Sequence, residues 1–227
     1  MVYGGISLRG SYHEVNQDSY VCKMYGPECG VMVVSDGMGS KKFSQYGSKA
    51  ICESVCETIG TLQSDLDALS FGDVIDLCHE KWKRKLAGYD ITQCCTTLLV
   101  LVVTGRRIKA ARLGDGFLAI HTEKGVRVLF DRKENCFANE TDCLSEVLAR
   151  DRMEILDEPY EIFHGAVSCT DGIEIGTMRE EELRGFAGDF IAEYSSQNAD
   201  EIQREVYSWV AEWPGRDDKT LAFLLGE

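Results

Sequence analysis

The chain has 227 residues, of which 44% are hydrophobic and 27% are charged. This length is sufficient for a substantial buried core, and the composition excludes a predominantly disordered chain. The 38 acidic residues outnumber the 24 basic ones, so the formal net charge is −14 at pH 7. Such an excess of acid excludes nucleic acid and anionic membrane as default partners, because binding to either requires positive potential.

The cysteines and the hydrophobic segments predict the compartment. Residues 1–11 contain no apolar block of signal-peptide length, and the longest apolar run, Leu98–Val103, is only of strand length. The ten cysteines include no Cys-x-x-Cys pair. This pattern is typical of reduced thiols rather than of a disulfide framework. We therefore expect a cytoplasmic protein.

The first half of the chain predicts a buried strand followed by two helices. Residues 28–35 form an apolar run that ends at Asp36-Gly37, which is typical of a buried strand. Over 44–59, apolar and small residues recur at helical spacing and predict the first helix. The same spacing predicts a second helix over 71–86.

The second half predicts mainly strands. Four β-type runs separated by short turns predict an antiparallel meander: 96–104, 108–113, 117–122 and 126–130. Residues 131–160 predict a long polar loop with a helical piece around 144–150. A strand over 162–169, a helix over 200–213 and a strand over 220–225 complete the chain. Strands and helices in separate blocks predict one α+β domain over residues 1–227, with antiparallel sheets covered by helices.

Four aspartates share one context, since each lies in a turn beside a predicted strand. They are Asp36, Asp115, Asp171 and Asp217. A single aspartate in such a turn is common without any function. Several short carboxylates at strand ends, however, supply the oxygen ligands that Mg²⁺ and Mn²⁺ prefer. Together they indicate a divalent-cation site, and two such ions can activate a water and neutralise a phosphoryl group.

Competing catalytic sets are few in this sequence. The chain has no phosphate-binding P-loop and no dinucleotide-binding glycine fingerprint. The histidines are scattered and none belongs to a recognised nucleophile motif: His13, His79, His121 and His164. The acidic residues are therefore the main candidates for chemistry.

Six short motifs follow one another from residue 16 to residue 220. They are Asn16-Gln17-Asp18, Ser35-Asp36-Gly37-Met38-Gly39, Cys95-Thr96-Thr97, Leu113-Gly114-Asp115, Thr170-Asp171-Gly172 and Arg216-Asp217-Asp218-Lys219-Thr220. In this order they resemble the metal-dependent serine/threonine phosphatases of type 2C, the PPM family. The segment Asn139-Glu140-Thr141 further resembles a divergent bacterial branch of that family.

The resemblance implies a sandwich of two antiparallel sheets flanked by helices, with a site for Mn²⁺ or Mg²⁺ at one end. Asp36 would bridge two ions, and the Gly37 carbonyl would bind the second of them. Asp171 and Asp217 would complete the shell of the first ion. Asp115 resembles the residue that, with Asp171, holds a third and weaker ion in bacterial members.

Three further positions concern the border of the implied site. Asp18 resembles an acid that binds metal-coordinated water. His13 stands where the family has a phosphate-binding arginine, and it could still donate to phosphate without the bidentate fork of arginine. Gln17 replaces the family's glutamate, which removes one negative charge near the second ion.

The implied activity is hydrolysis of phosphoserine and phosphothreonine in proteins by a water that bridges the metals. Asp36, Asp171, Asp217 and His13 would be the catalytic residues. The expected partner is a phosphorylated protein substrate made by an opposing Ser/Thr kinase, with no nucleic acid and no membrane, and a monomer is expected. Two alternatives stay open: a catalytically weak module that senses phosphoprotein or metal, and a phosphomonoesterase for non-protein substrates.

Overall fold

A computed structural model describes residues 1–132 and 142–226. Within these ranges, ten strands form two antiparallel sheets. In spatial order, the first sheet contains β1 (Val2–Leu8), β10 (Lys219–Leu225), β9 (Phe163–Cys169), β6 (Phe117–Thr122) and β7 (Gly125–Phe130). The second contains β2 (Ser19–Met24), β3 (Gly30–Ser35), β4 (Leu98–Val103), β5 (Arg107–Leu113) and β8 (Glu154–Pro159).

Four helices of the described ranges cover the outer faces of the sheets. α1 (Ser44–Leu62) and α2 (Phe71–Lys85) lie on the second sheet, whereas α3 (Glu180–Tyr194) and α4 (Ala199–Glu212) lie on the first. The layers therefore run helices, sheet, sheet, helices, which confirms the predicted α+β sandwich. In the described part of the chain, no helix combines the length and the apolar character that crossing a bilayer requires.

The core explains why β4 is apolar at every position. Its even-numbered residues, from Leu98 to Val102, pack in the layer formed with α1 and α2. Its odd-numbered residues, from Leu99 to Val103, pack between the two sheets. Successive side chains of a strand point to opposite faces, so a strand covered on both faces buries every residue. The continuous run therefore follows from the four-layer architecture.

The predicted meander over 96–130 is wrong. β4 pairs with β5 in the second sheet, whereas β6 pairs with β7 in the first. The turn Gly114-Asp115-Gly116 carries the chain from one sheet to the other, with φ of +103° at Gly114 and +78° at Gly116. Glycine adopts these angles without the steric cost that a side chain would add. Two hairpins thus lie in different layers although they are adjacent in sequence.

The predicted loop over 131–160 is wrong in its second half, because β8 pairs with β5 there. The acidic residues of β8 made this segment look like a loop in sequence. In the sheet, Asp157 accepts hydrogen bonds from Arg107 Nε at 2.7 Å and from the buried Lys109 Nζ at 2.6 Å. Residues 144–150 do not form the predicted helix, and a short 3₁₀ turn at Arg150–Arg152 follows instead. The Asn139–Thr141 segment lies outside the described residues.

Besides β8, the elements β1, β2 and α3 were not predicted. Two of them, β1 and α3, contain glycines that weaken the sequence signal. In β1, a Cβ at Gly4 or Gly5 would collide with the ring of Phe223 or Tyr20, so glycine is required by packing rather than by strand propensity. In α3, Gly185 and Gly188 lower the helix propensity of the segment.

Candidate metal centre

Antiparallel pairing brings the predicted acids to one end of the sandwich. β3 and β9 end there, just before Asp36 and Asp171, while β10 begins there, just after Asp217. The pair Ser19–Ser35 fixes the start of β2 beside the end of β3, which places the residues preceding β2 at the same end. Residues far apart in sequence therefore share one rim of the two sheets.

Asp36 is held by the segment that precedes β4. Its backbone N–H donates to Thr97 Oγ1 at 2.9 Å, and its carbonyl oxygen accepts from Thr96 Oγ1 at 2.6 Å. At the next residue, Gly37, a Cβ would meet the backbone oxygens of Gln17 and Ser44. Only glycine permits this close passage of three backbone segments.

Three carboxylates converge at this rim. Asp36, Asp115 and Asp171 each offer an oxygen, and the three oxygens lie within 4.8 Å of one another. Burial, and then the charges of Asp18 and Asp171, raise the pKa of Asp36 well above its usual value. Burial, and then the charges of Asp115 and Asp217, raise the pKa of Asp171 to about 6. Like charges at this spacing repel, so the arrangement favours protons or a cation among them.

Asp18 lies behind Asp36 and is 7% exposed. Its Oδ2 accepts a hydrogen bond from Thr170 Oγ1 at 2.9 Å. Burial raises its pKa to about 7 despite this bond. A fourth carboxylate therefore adds negative potential to the buried side of the group.

Asp217 belongs to a second, adjoining group rather than to the first. It shares potential ligand atoms within 4.8 Å with His13 and Asp218. His13 Nδ1 lies 3.6 Å from Asp217 Oδ1 and 3.5 Å from Asp218 Oδ2. The two groups adjoin, since the charge of Asp217 also acts on Asp171. Among the implied metal ligands, Asp217 therefore points toward His13 rather than belonging to the group of Asp36.

Asp218 has a role that its motif does not predict. Its Oδ1 accepts the backbone N–H of Gly10 at 2.8 Å, and its Oδ2 accepts that of Gln17 at 2.7 Å. The side chain is buried, so these bonds replace its hydration. In the sequence, only the pair of adjacent acids before an apolar strand indicates this role of Asp218. The pair does not show which of the two acids turns inward.

The residues at this rim fit a divalent cation. Several of the buried side-chain polar atoms without a hydrogen-bond partner in the described residues lie here: His13 Nδ1, Gln17 Oε1, Asp18 Oδ1 and Asp171 Oδ1. Buried polar atoms are normally paired, and unpaired ones call for a ligand. Oxygen donors with net negative charge are those that Mg²⁺ and Mn²⁺ prefer. Both the type of donor atom and the unpaired buried atoms therefore fit a bound divalent cation.

The two groups open into one pocket of about 390 Å³. It is lined by Asp36, Asp115, Asp171, Asp217 and His13, together with Tyr12, Met38, Gly39, Ser40 and Thr97. A second pocket of about 580 Å³ shares Asp115 and Asp171 and extends to Arg132 and Arg179. The acids thus lie where the two depressions meet, within reach of a ligand from solvent.

Comparison with known sequences identifies the family to which this sandwich belongs. A family model for protein phosphatase 2C matches residues 10–213. The chain therefore belongs to the protein phosphatase 2C family. No curated protein sequence matches it significantly.

Solved structures resemble this one over nearly their whole length. The serine/threonine phosphatase Stp1 from Staphylococcus aureus has a TM-score of 0.67 and 12% identity, covering 100% of this chain and 96% of that one. The catalytic domain of the serine threonine protein phosphatase PstP, in complex with two manganese ions, has a TM-score of 0.64 and 15% identity, covering 97% and 96%. A structure from work on the bacterial stressosome has a TM-score of 0.67 and 17% identity, covering 98% and 97%. At such identities the likeness shows the fold.

Proposed function

We propose that this protein is a Mn²⁺- or Mg²⁺-dependent phosphatase that hydrolyses phosphoserine and phosphothreonine in proteins. The observation that carries the proposal is the convergence of Asp36, Asp115 and Asp171 within 4.8 Å at the rim of a protein phosphatase 2C fold. Like-charged acids that open to a pocket, with raised pKa values at Asp36 and Asp171, serve a cation better than they serve stability. The manganese ions of the structural neighbour PstP support the same metal chemistry.

The first acidic group, joined by Asp217 of the second, would hold the cations. Asp36 would contact two of them, with the Gly37 carbonyl on the second and with Asp171 and Asp217 on the first. Asp115 would join Asp171 at a third, weaker position. Bound divalent cations lower the pKa of water and screen the charge of a phosphoryl group, which this acidic chain otherwise repels.

Residues around the acids would fix their geometry. Thr96 and Thr97 hold the backbone of Asp36, which fixes the position from which its carboxylate enters the pocket. Asp18 would accept a hydrogen bond from water through the oxygen that lacks a partner. Preorganised charges of this kind avoid reorganisation during the reaction.

His13 would orient the substrate phosphate. Its Nδ1 faces the carboxylates of Asp217 and Asp218, so that nitrogen is the one favoured to carry a proton. Its Nε2 faces Gly39, where a Cβ would lie only 2.9 Å away. Glycine therefore leaves space for a phosphate oxygen beside the ring, within hydrogen-bonding reach of Nε2.

The second pocket would receive the protein chain that carries the phosphate. Arg132 lies 3.6 Å from Glu180, and Arg179 lies 3.0 Å from Glu182. The positive charge of each arginine is therefore partly neutralised by a neighbouring glutamate. This mixed surface suits a phosphoprotein with polar residues near the modified one. An opposing Ser/Thr kinase, a cytoplasmic signalling role and action as a single-domain monomer form part of the proposal.

The proposal is tested with purified protein and a phosphothreonine peptide. We expect phosphate release with Mn²⁺, none after EDTA treatment, and a loss of at least about 100-fold in Asp36→Asn, since even outer partners of metal ligands contribute 10- to 100-fold. The exposed Asp151→Asn serves as the matched control and should retain full activity. Release that persists in EDTA, or in Asp36→Asn, would contradict the proposal.

A second candidate is a phosphatase-fold module that binds phosphoprotein or metal with little turnover. Gln17 favours it, because its buried Oε1 has no partner where the resemblance implies a carboxylate, so the cation site has one charge fewer. Calorimetry distinguishes the two candidates. Tight phosphopeptide binding without phosphate release would support the module, whereas release in proportion to Mn²⁺ would support the enzyme.

A further inference from the structure

Two cysteines lie beside the acidic rim and take no part in the proposed hydrolysis. Cys95 directly precedes Thr96, and Cys143 directly precedes Leu144. Thr96 and Leu144 form an antiparallel pair, in which the Leu144 N–H donates to the Thr96 carbonyl at 2.7 Å. Neighbours of paired residues in extended chains project to the opposite face from the pair. The two cysteine side chains therefore share one face of this bridge.

The two thiols interact with each other. The contact with Cys143, aided by the charge of Lys41, lowers the pKa of Cys95, and the same contact raises that of Cys143. The other cysteines of the described ranges behave differently, since burial raises the pKa of each. A cysteine with a lowered pKa beside a second thiol is the arrangement of an attacking and a resolving cysteine.

The cysteine pair is connected to the two loops that carry Asp36 and Asp115. The Cys95 carbonyl accepts the N–H of Met38 at 3.1 Å, two residues after Asp36. On the other side, a Cβ at Gly114 would lie 2.9 Å from the carbonyl oxygen of Asp142. Gly114 precedes Asp115, so the segment carrying Cys143 abuts the second loop. A change at the cysteine pair therefore reaches Asp36 and Asp115 together.

We propose that Cys95 and Cys143 form a reversible disulfide that weakens cation binding at the acidic rim. Closing the bond draws the two sulfurs from contact to about 2 Å, which shifts the segments that hold both loops. The cross-link itself is independent of the proposed phosphatase activity, whereas its effect on cation binding rests on that proposed function.

The oxidant is hydrogen peroxide, which is small enough to reach Cys95 at 5% exposure. The Cys95 thiolate attacks one peroxide oxygen and the O–O bond breaks, giving a sulfenic acid at Cys95 and one water after protonation. Cys143 loses its proton and attacks the Cys95 sulfur, and the S–O bond breaks with release of the second water. Two thiols lose two electrons in total, and hydrogen peroxide gains them. A dithiol reverses the reaction by exchange.

Peptide mapping tests the cross-link. Reduced protein is treated with one equivalent of hydrogen peroxide, alkylated and digested with trypsin without reductant. Cys95 falls in peptide 86–106 together with Cys94, and Cys143 falls in peptide 134–150 together with Cys136. In the oxidised protein without substitutions, we expect the two peptides to be linked and to be separated by dithiothreitol.

Four variants identify the cysteines involved. The link should persist in Cys94→Ser and Cys136→Ser, the matched controls, and should be lost in Cys95→Ser and Cys143→Ser. A link that persists in Cys95→Ser or Cys143→Ser would overturn the assignment, as would free thiols at both positions after oxidation. Thermal unfolding shows whether the buried Cys95→Ser has folded, and the half-buried Cys143→Ser gives an independent result.

Calorimetry with Mn²⁺ tests the coupling. We expect oxidation to weaken Mn²⁺ binding in the unmodified protein, dithiothreitol to restore it, and Cys143→Ser to show no change after the same treatment. A mapped cross-link with unchanged Mn²⁺ affinity would overturn the coupling. If the reduced protein binds no Mn²⁺ at all, the proposed function fails, while peptide mapping still decides whether the disulfide forms.

Discussion

The Asp218 carboxylate accepts the backbone N–H of Gln17 at 2.7 Å, although the two residues are 201 positions apart in sequence. Its other oxygen accepts the N–H of Gly10 at 2.8 Å. The loop that carries His13 is thereby fixed to the residues that precede β10, where Asp217 lies. Asp218 does not line the pocket, yet the relative positions of His13 and Asp217 depend on it.

Replacement of Asp218 should therefore destabilise the protein and disorder the pocket. A hydrogen bond to a charged group contributes about 1.5–3 kcal/mol, and Asp218→Ala loses two of them and leaves two buried N–H groups unpaired. Asp218→Asn should lose less, because its amide oxygen can still accept one bond. Urea unfolding measures the free energies, and Asp151→Ala is the exposed control. Equal stability of Asp218→Ala and the unmodified protein would refute this account.

Asp18 should lower the stability of the metal-free protein while supporting cation binding. Its pKa of about 7 reflects burial beside other carboxylates, so Asp18→Asn relieves repulsion and can keep the bond from Thr170. We expect a higher midpoint of thermal unfolding in EDTA at pH 7.5, together with Mn²⁺ affinity weaker by about 10- to 100-fold. Stability and affinity that change in the same direction would contradict this interpretation.

The same groups make the stability of the metal-free protein depend on pH. In the folded protein, the pKa of Asp18 is about 7 and that of Asp171 is about 6, both raised chiefly by burial above the usual value for aspartate. The folded protein therefore keeps protons that the unfolded chain releases, and this contribution to stability is lost as pH rises from about 4 to about 7. Thermal unfolding in EDTA across that range, compared between the unmodified protein and Asp18→Asn, isolates it. The difference should grow with pH, and a constant difference would exclude the effect.

His13 should contribute to the use of phosphate substrates. A hydrogen bond from its ring to a phosphate oxygen corresponds to roughly 10- to 100-fold in kcat/KM, so His13→Ala should lose about this factor. Inhibition by inorganic phosphate should weaken in parallel. The exposed His164→Ala removes a histidine at the opposite end of β9 and serves as the control. Unchanged kinetics and phosphate inhibition in His13→Ala would remove His13 from the site.

The fold class and the convergence of the acids could be predicted because local rules determine them. Apolar runs such as Leu98–Val103 mark buried strands, and the ends of antiparallel strands meet at a shared rim. The glycines beside Asp36, Asp115 and Asp171 mark places where backbones approach closely. The motif order then specified the family, which the match over residues 10–213 established.

Other features depend on contacts between distant residues and left little local signal. The acids of β8 resemble a loop until Lys109 and Arg107 of β5 pair with Asp157. The crossing of the chain at Gly114-Asp115-Gly116 looks like a hairpin turn in sequence. Nothing local distinguishes the inward Asp218 from the outward Asp217, because the backbone N–H groups that select Asp218 belong to Gly10 and Gln17.

The central claim is that Asp36 lies at the heart of a divalent-cation site. Anomalous diffraction from crystals soaked in Mn²⁺ tests it most directly. We predict two manganese peaks about 4 Å apart, the usual spacing in two-metal hydrolytic sites, with the Asp36 carboxylate contacting both and Asp171 contacting one. The absence of any peak within contact of Asp36, in crystals that take up Mn²⁺ elsewhere, would contradict the claim.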